Sequence, residues 1–249
     1  MAKGAADKAL ALDPSNPKVQ LDMGYYHLWC KADKKTALSY FEEASKGLPN
    51  SVPVLKAKAS IYEAQGAFDK YIEAYEQATD ISPRDASCWT NLTFGYQFTY
   101  QFKKGLESTA KAIVLDPEEA WNHLSDVLIY FAYEGANEKS RAALNRVDKD
   151  HSWYLWTLFH QEMFEENFEE LLEIIETHPN GATHKLTKMP QPLMKAYILD
   201  YLGREKEAQA QYARAVEIME VEILSNPDDD RYNSALGLSY AGIGQKEKA

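Results

Sequence analysis

A chain of 249 residues with 45% hydrophobic residues, 16 tyrosines and a formal net charge of −11 has the composition of a folded protein, with apolar residues spread along its length. The acidic balance argues against a nucleic-acid partner, because no basic stripe offsets it. No apolar run reaches the roughly 18 residues of a membrane span and MAKGAADKAL lacks a signal peptide's apolar core, so no membrane insertion and a cytoplasmic location are expected.

In chain order the sequence reads as helical segments punctuated by proline and glycine. Residues 1–15 read as one helix carrying the small residues Ala6 and Ala9, closed by Asp13-Pro14. Residues 16–49 read as a pair, with Met23, Gly24 and His27 on the first helix and Ala37, Phe41 and Ala44 on the second, ending at Pro49. Residues 50–83 repeat this with Leu55, Ala59 and Tyr62, a turn at Gly66, then Tyr71, Tyr75, Ala78 and Pro83. In residues 84–117, Trp89, Leu92, Thr93 and Tyr96 share one helical face by their spacing. Gly105, Thr109 and Ala112 do the same on a second helix, which Asp116-Pro117 ends because proline disfavours helical geometry in the residue before it.

Residues 118–150 keep the register through Val127 and Tyr130, with Ser140, Leu144 and Val147 on a second helix. Residues 151–188 form a degenerate pair. An aromatic helix (Trp153, Tyr154, Trp156, Phe159) is followed by an acidic one (Phe168, Leu171, Leu172, Ile175), and 178–192 reads as an irregular loop around Pro179-Asn180-Gly181. Residues 189–227 resume with Ala196, Leu199, Gly203, Ala208, Tyr212 and Ala215, on a second helix that runs on to about Leu224. Residues 228–249, with Leu236-Gly237, Tyr240 and Gly244, are half a pair.

Tyr62, Tyr96 and Tyr130 are evenly spaced at 34 residues, as are Ala44, Ala78 and Ala112, and Pro49, Pro83 and Pro117. A period of this length means stacked helical hairpins. An aromatic, Leu-Gly and Tyr on helix A, followed by Ala, an aromatic, Ala and a closing Pro, resembles the tetratricopeptide repeat. The resemblance implies an all-α fold, an α-α superhelix of antiparallel helix pairs spanning 1–249 as one solenoid, with a concave groove lined by the A helices. The chain begins and ends inside a hairpin with no polar cap, which reads as a fragment of a longer array whose uncapped ends could self-associate. The order of features is also loosely similar to repeat regions of bacterial multidomain signalling proteins. That likeness implies an alternative role, as a regulatory appendage of a catalytic domain lying outside this chain.

Motif chemistry is sparse. There is no GxSxG, GxxxxGK or GxGxxG, and Gly242-Ile243-Gly244 reads as a repeat turn. The six histidines do not cluster as metal ligands, Cys30 and Cys88 read as two buried free thiols, and the glutamates from Glu165 to Glu176 stripe the polar side of a helix. No cofactor, metal or catalytic residue is expected, although an enzyme using the 178–192 loop with His178 and His184 is a third reading. The candidate groove turns away from the packing stripes. It comprises Tyr25, Lys56, Asn91, Phe94, Gln97, Phe98, Trp121, Leu128 and Phe131, with Leu21, Leu28, Ser60 and Leu124 beside them. This array is apolar and aromatic rather than basic. It departs from the lysine and asparagine set with which repeats of this kind clamp a carboxylate, and fits a protein, peptide or helix ligand better. The function expected is that of a non-catalytic interaction scaffold.

Overall fold

The computed structural model describes residues 8, 10–135, 137–183 and 187–249. Among these the architecture is all-α apart from two two-residue strands, and the chain divides into two compact units, residues 1–125 and 126–249.

In the first unit, residues 10–12 are helical and three complete hairpins follow. They are α1 (Pro17–Cys30) with α2 (Lys34–Gly47), α3 (Val52–Ala64) with α4 (Phe68–Ile81), and α5 (Ala86–Phe98) with α6 (Phe102–Leu115). Local chemistry fixes their ends. Asn16, Asp33 and Asp85 cap α1, α2 and α5 by accepting hydrogen bonds from the otherwise unpaired amides of Lys18, Thr36 and Ser87. Within each hairpin the small positions let the helices close: Ala37, Ala44, Ala78 and Ala112 are buried without exposed surface. A methyl group on Gly24 would lie 2.3 Å from the Phe41 ring, so this glycine is required by close approach. Phe41 and Ile61 fill the space between the first two hairpins, and burying each contributes about 2 kcal/mol.

The division between the units falls inside α7 (Ala120–Glu134). The second unit continues with α8 (Glu138–Leu144), α9 (Tyr154–Phe164), α10 (Phe168–Glu176), α11 (Gln191–Tyr201), α12 (Glu205–Ser225) and α13 (Asp230–Gly242). The 21-residue α12 is the overlong helix that the apolar periodicity up to Leu224 predicts. Two readings are corrected. The second helix of 118–150 stops at Leu144, and Val147 is buried beyond its end; the helix has seven residues, closed at its start by a capping box between Asn137 and Ser140. The stretch 178–192 is not wholly irregular. After the turn at Gly181 (φ 66°), β1 (Ala182–Thr183) pairs antiparallel with β2 (Lys188–Met189), Ala182 opposite Met189. Both of these side chains enter a core with Leu155, Leu171, Ile175 and Ile198, and that apolar face favours the pairing of the two strands.

Among the described residues the helices of each unit pack chiefly on their neighbours in sequence, whereas β1 packs on α9 and β2 reaches past α11 and α12 to α13. There Lys188 lies over the Tyr232 ring, 4.1 Å from its centre, and donates to its hydroxyl.

Candidate functional site

In the first unit the A-helix faces read as a groove also lace successive A helices together. Tyr25 of α1 donates to the Pro53 carbonyl of α3 (3.3 Å). Lys56 of α3 donates to Asp85 (2.8 Å) and Ser87 (2.6 Å) at the start of α5, and Gln97 of α5 donates to the Ser125 carbonyl of α7 (3.1 Å). Burial opposes the charge on Asp85, but the Lys56 and Ser87 bonds overcome it and hold its carboxyl at about 2. Asn91 is committed as well, accepting from the Tyr71 hydroxyl and donating to the Ser87 carbonyl. Lys56 and Asn91 therefore already have partners within the protein.

The aromatic candidates divide by exposure. Phe94 sits half-buried in a ring cluster with Phe68, Tyr71 and Phe98. Phe98 stacks on Phe68 at 4.8 Å while leaving 49% of its surface open. Tyr25 packs edge-on against Phe41 and stacks on Trp29, whose own surface is 73% exposed. Trp121 is half-buried at the start of α7, and Leu124, read as groove-facing, is wholly buried and belongs to the core. A further correction concerns the thiols: Cys88 is buried, and burial pushes it up to about 11, but Cys30 is exposed at the end of α1.

In the second unit, Leu128 and Phe131 lie half-buried on α7, and the Phe131 ring meets Phe164 of α9 at 5.8 Å. His178 is held by the Ile174 carbonyl at 2.8 Å, and His184 lies outside the described residues. Beneath this face runs a charged network. Arg141 of α8 donates to both Glu162 and Glu165, and Asn167 also donates to Glu162, which is 5% exposed. Burial opposes ionisation of Glu162, yet the bonds from Arg141 and Asn167 keep its carboxyl below the ordinary range.

The second unit also contains a cavity of about 460 Å³ that the periodicity did not signal. Trp156, Phe159, His160, Met163 and Phe164 of α9 form one wall, Tyr197 and Tyr201 of α11 another, Leu238 of α13 a third, and Thr187 and Met189 close it from the β-hairpin. Strand alternation explains the last pair, since Thr187 and Met189 share a face while Lys188 points to Tyr232. His160 engages the Trp156 carbonyl through Nδ1 at 2.7 Å, and burial holds its imidazole neutral by lowering its pKa against the opposing effect of that bond. The Thr187 hydroxyl is buried and has no hydrogen-bond partner among the described residues. The aromatic run of α9 was legible in the sequence. Thr187 and Met189 were not, because they gain meaning only once the hairpin folds over it.

No protein-family model matches the sequence, and no curated protein matches it. Solved structures do match. A tetratricopeptide repeat protein from Parabacteroides merdae aligns over 95% of this chain and 90% of its own, at a TM-score of 0.69 and 12% identity. PilF from Pseudomonas aeruginosa aligns over 92% and 97%, at 0.64 and 12%. Cut9 in the APC/C hetero-tetramer Cut9–Hcn1 aligns over 96% of this chain and 45% of its own, at 0.63 and 12%. The fold is therefore the tetratricopeptide-repeat fold, a run of all-α helical repeats. Among the described residues no helix is long and apolar enough to cross a membrane.

Proposed function

We propose that this chain is a non-catalytic protein-interaction scaffold whose first unit takes a peptide or helix along the face of Tyr25, Lys56, Asn91, Phe94, Gln97, Phe98 and Trp121. Leu128 and Phe131 are the corresponding positions of the second unit. The observation that carries the reading is aromatic surface left open on α1 and α5: Trp29 stacked on Tyr25, and Phe98 stacked on Phe68, each with about half or more of its area exposed. Such rings offer large contact area at little entropic cost, the usual make-up of an interaction hot spot. Cut9, which shares this fold, is seen in a complex with Hcn1, and this supports the class of function. Because Lys56 and Asn91 are already engaged, they act by shaping the surface and not by clamping a terminal carboxylate. Self-association through end repeats belongs to the same proposal, and light scattering over a dilution series checks it: a strict monomer at the highest concentration counts against it.

The test of the groove uses its exposed rings, because the half-buried Phe94 would report on folding. The Trp29→Ser, Phe98→Ser double variant should retain its helical circular dichroism and lose capture of partner proteins from the source cell's lysate. Undiminished capture by a folded double variant removes the first-unit groove.

A further inference from the structure

The cavity belongs to the second unit, where Phe131 meets its rim at Phe164, and its role stands whether or not the first-unit face binds anything. We propose that it is a second recognition site, and that its occupant is a tyrosine side chain carried on a basic segment of a partner polypeptide.

Three observations carry this. The first is shape. About 460 Å³ is within the range of ligand-binding clefts and far above the voids of ordinary packing, and the walls contributed by Trp156, Met163, Met189 and Tyr197 are apolar, polarisable and suited to an aromatic ring. The second is polarity within those walls. His160 commits Nδ1–H to the Trp156 carbonyl, which leaves its Nε2 as an acceptor on a ring lining the cavity. Thr187 contributes a buried hydroxyl with nothing to bond among the described residues. An unpaired buried hydroxyl is costly, so an occupant towards which the Thr187 side chain turns its oxygen is favoured. A phenol is the side-chain group that presents a flat apolar body ending in one oxygen able to donate to an imidazole nitrogen and accept from a hydroxyl. An indole only donates and a phenyl ring does neither.

The third is the rim and its charge. Phe164 and Tyr201 stand at the mouth with 64% and 69% of their surfaces exposed, so a polypeptide lying across the opening would cover apolar area. Carboxylates adjoin them. Glu166 follows Phe164 by two residues, and Phe168, stacked on Tyr201, is followed by Glu169, which faces Arg204 at 3.9 Å, and by Glu170, both exposed. Residues 126–249 carry 22 carboxylates against 13 lysines and arginines, while residues 1–125 carry 16 against 14. Most of the chain's net negative charge, −9 against −2, is therefore in the unit that holds the cavity, where it favours a basic partner and speeds its approach.

The test uses the full chain labelled with ¹³C at its methionine methyl groups, with Met163 and Met189 assigned by substitution. The probe is an acetylated, amidated pentapeptide with two lysines on each side of a central tyrosine. The expected result is a saturable shift of both methyl signals, binding about tenfold weaker when phenylalanine replaces the tyrosine, and no shift when alanine does. Thr187→Val should reduce binding of the tyrosine peptide towards that of the phenylalanine peptide and leave the latter unchanged. Replacing the lysines with glutamate should abolish the shifts. The proposal is overturned if the two methyls do not move, if the alanine peptide moves them equally, or if the Thr187→Val chain binds the tyrosine peptide undiminished. Free p-cresol binding as tightly as the peptide would also overturn it, making the cavity a small-molecule site. Trp29→Ser and Phe98→Ser leave every one of these readouts unchanged, so this test and that of the first-unit groove fail independently.

Discussion

At the scale of single residues, the turn inside each hairpin shows how much the repeat dictates and how much it tolerates. Gly66 adopts a left-handed backbone (φ 68°), and the positions 34 residues to either side, Ala32 (φ 52°) and Tyr100 (φ 58°), adopt the same conformation although neither is glycine. A side chain in that region is strained by about 1–2 kcal/mol, and the helices on both sides hold it there. Glycine relieves the strain but loses more entropy on folding, so the net gain is smaller. Ala32→Gly and Tyr100→Gly should therefore each stabilise the chain by about 0.5–1 kcal/mol, seen as a higher urea midpoint. An unchanged or lowered midpoint in both would mean that the turn carries no strain. Tyr100 is exposed, so little packing is lost with its ring.

At the scale of elements, two devices join one hairpin to the next. One recurs: Tyr96 of α5 donates to Glu76 on α4, and Tyr240 of α13 donates to Glu220 on α12, each across 20 residues. The other is particular to the second unit, where Arg141 ties the short α8 to α9 through the buried Glu162. Removing one partner of such a pair leaves an uncompensated charge, so Arg141→Met should cost about 3 kcal/mol, whereas Arg141→Met combined with Glu162→Met should recover most of it. The pH dependence has a definite sign. Because the folded pKa of Glu162 lies below its unfolded value, its contribution is fully present above the unfolded carboxylate pKa of about 4.3 and is lost as pH falls through the folded value. Denaturant melts of wild type should weaken across that acidic window, and the double variant should show less of the weakening. Equal acid sensitivity in both would place the titration elsewhere.

At the scale of the whole molecule, stability in a run of hairpins is a sum of local terms, each hairpin leaning on the next. A methyl on Gly24 would lie 2.3 Å from Phe41, so Gly24→Ala should cost about 1–3 kcal/mol through forced repacking. The damage should stay local. Amide hydrogen exchange should quicken in α1 and α2 and fade along the chain, with α11 to α13 unchanged; uniform acceleration in every helix would mean one cooperative block. Among the described residues the second unit departs from strict nearest-neighbour packing where β1 meets α9 and β2 meets α13, and the cavity lies at that departure.

The hairpins, their order and their class were legible in residues such as Ala44, Ala78 and Ala112, because close helix packing tolerates only small side chains and the requirement returns every 34 residues. The same logic reads α12 as overlong. What the periodicity could not contain is anything that occurs once. Whether Phe98 is open and Phe94 half-buried, whether Leu124 is core, and that Cys30 is exposed depend on which neighbour covers each face. The cavity is the clearest case: Trp156, Thr187, Tyr201 and Leu238 come from four separate elements, and only folding the hairpin across α9 makes them walls of one space. A repeating sequence sets the local geometry of each helix pair; the tertiary structure alone decides what a break in the repeat encloses, because enclosure is a property of distant segments meeting.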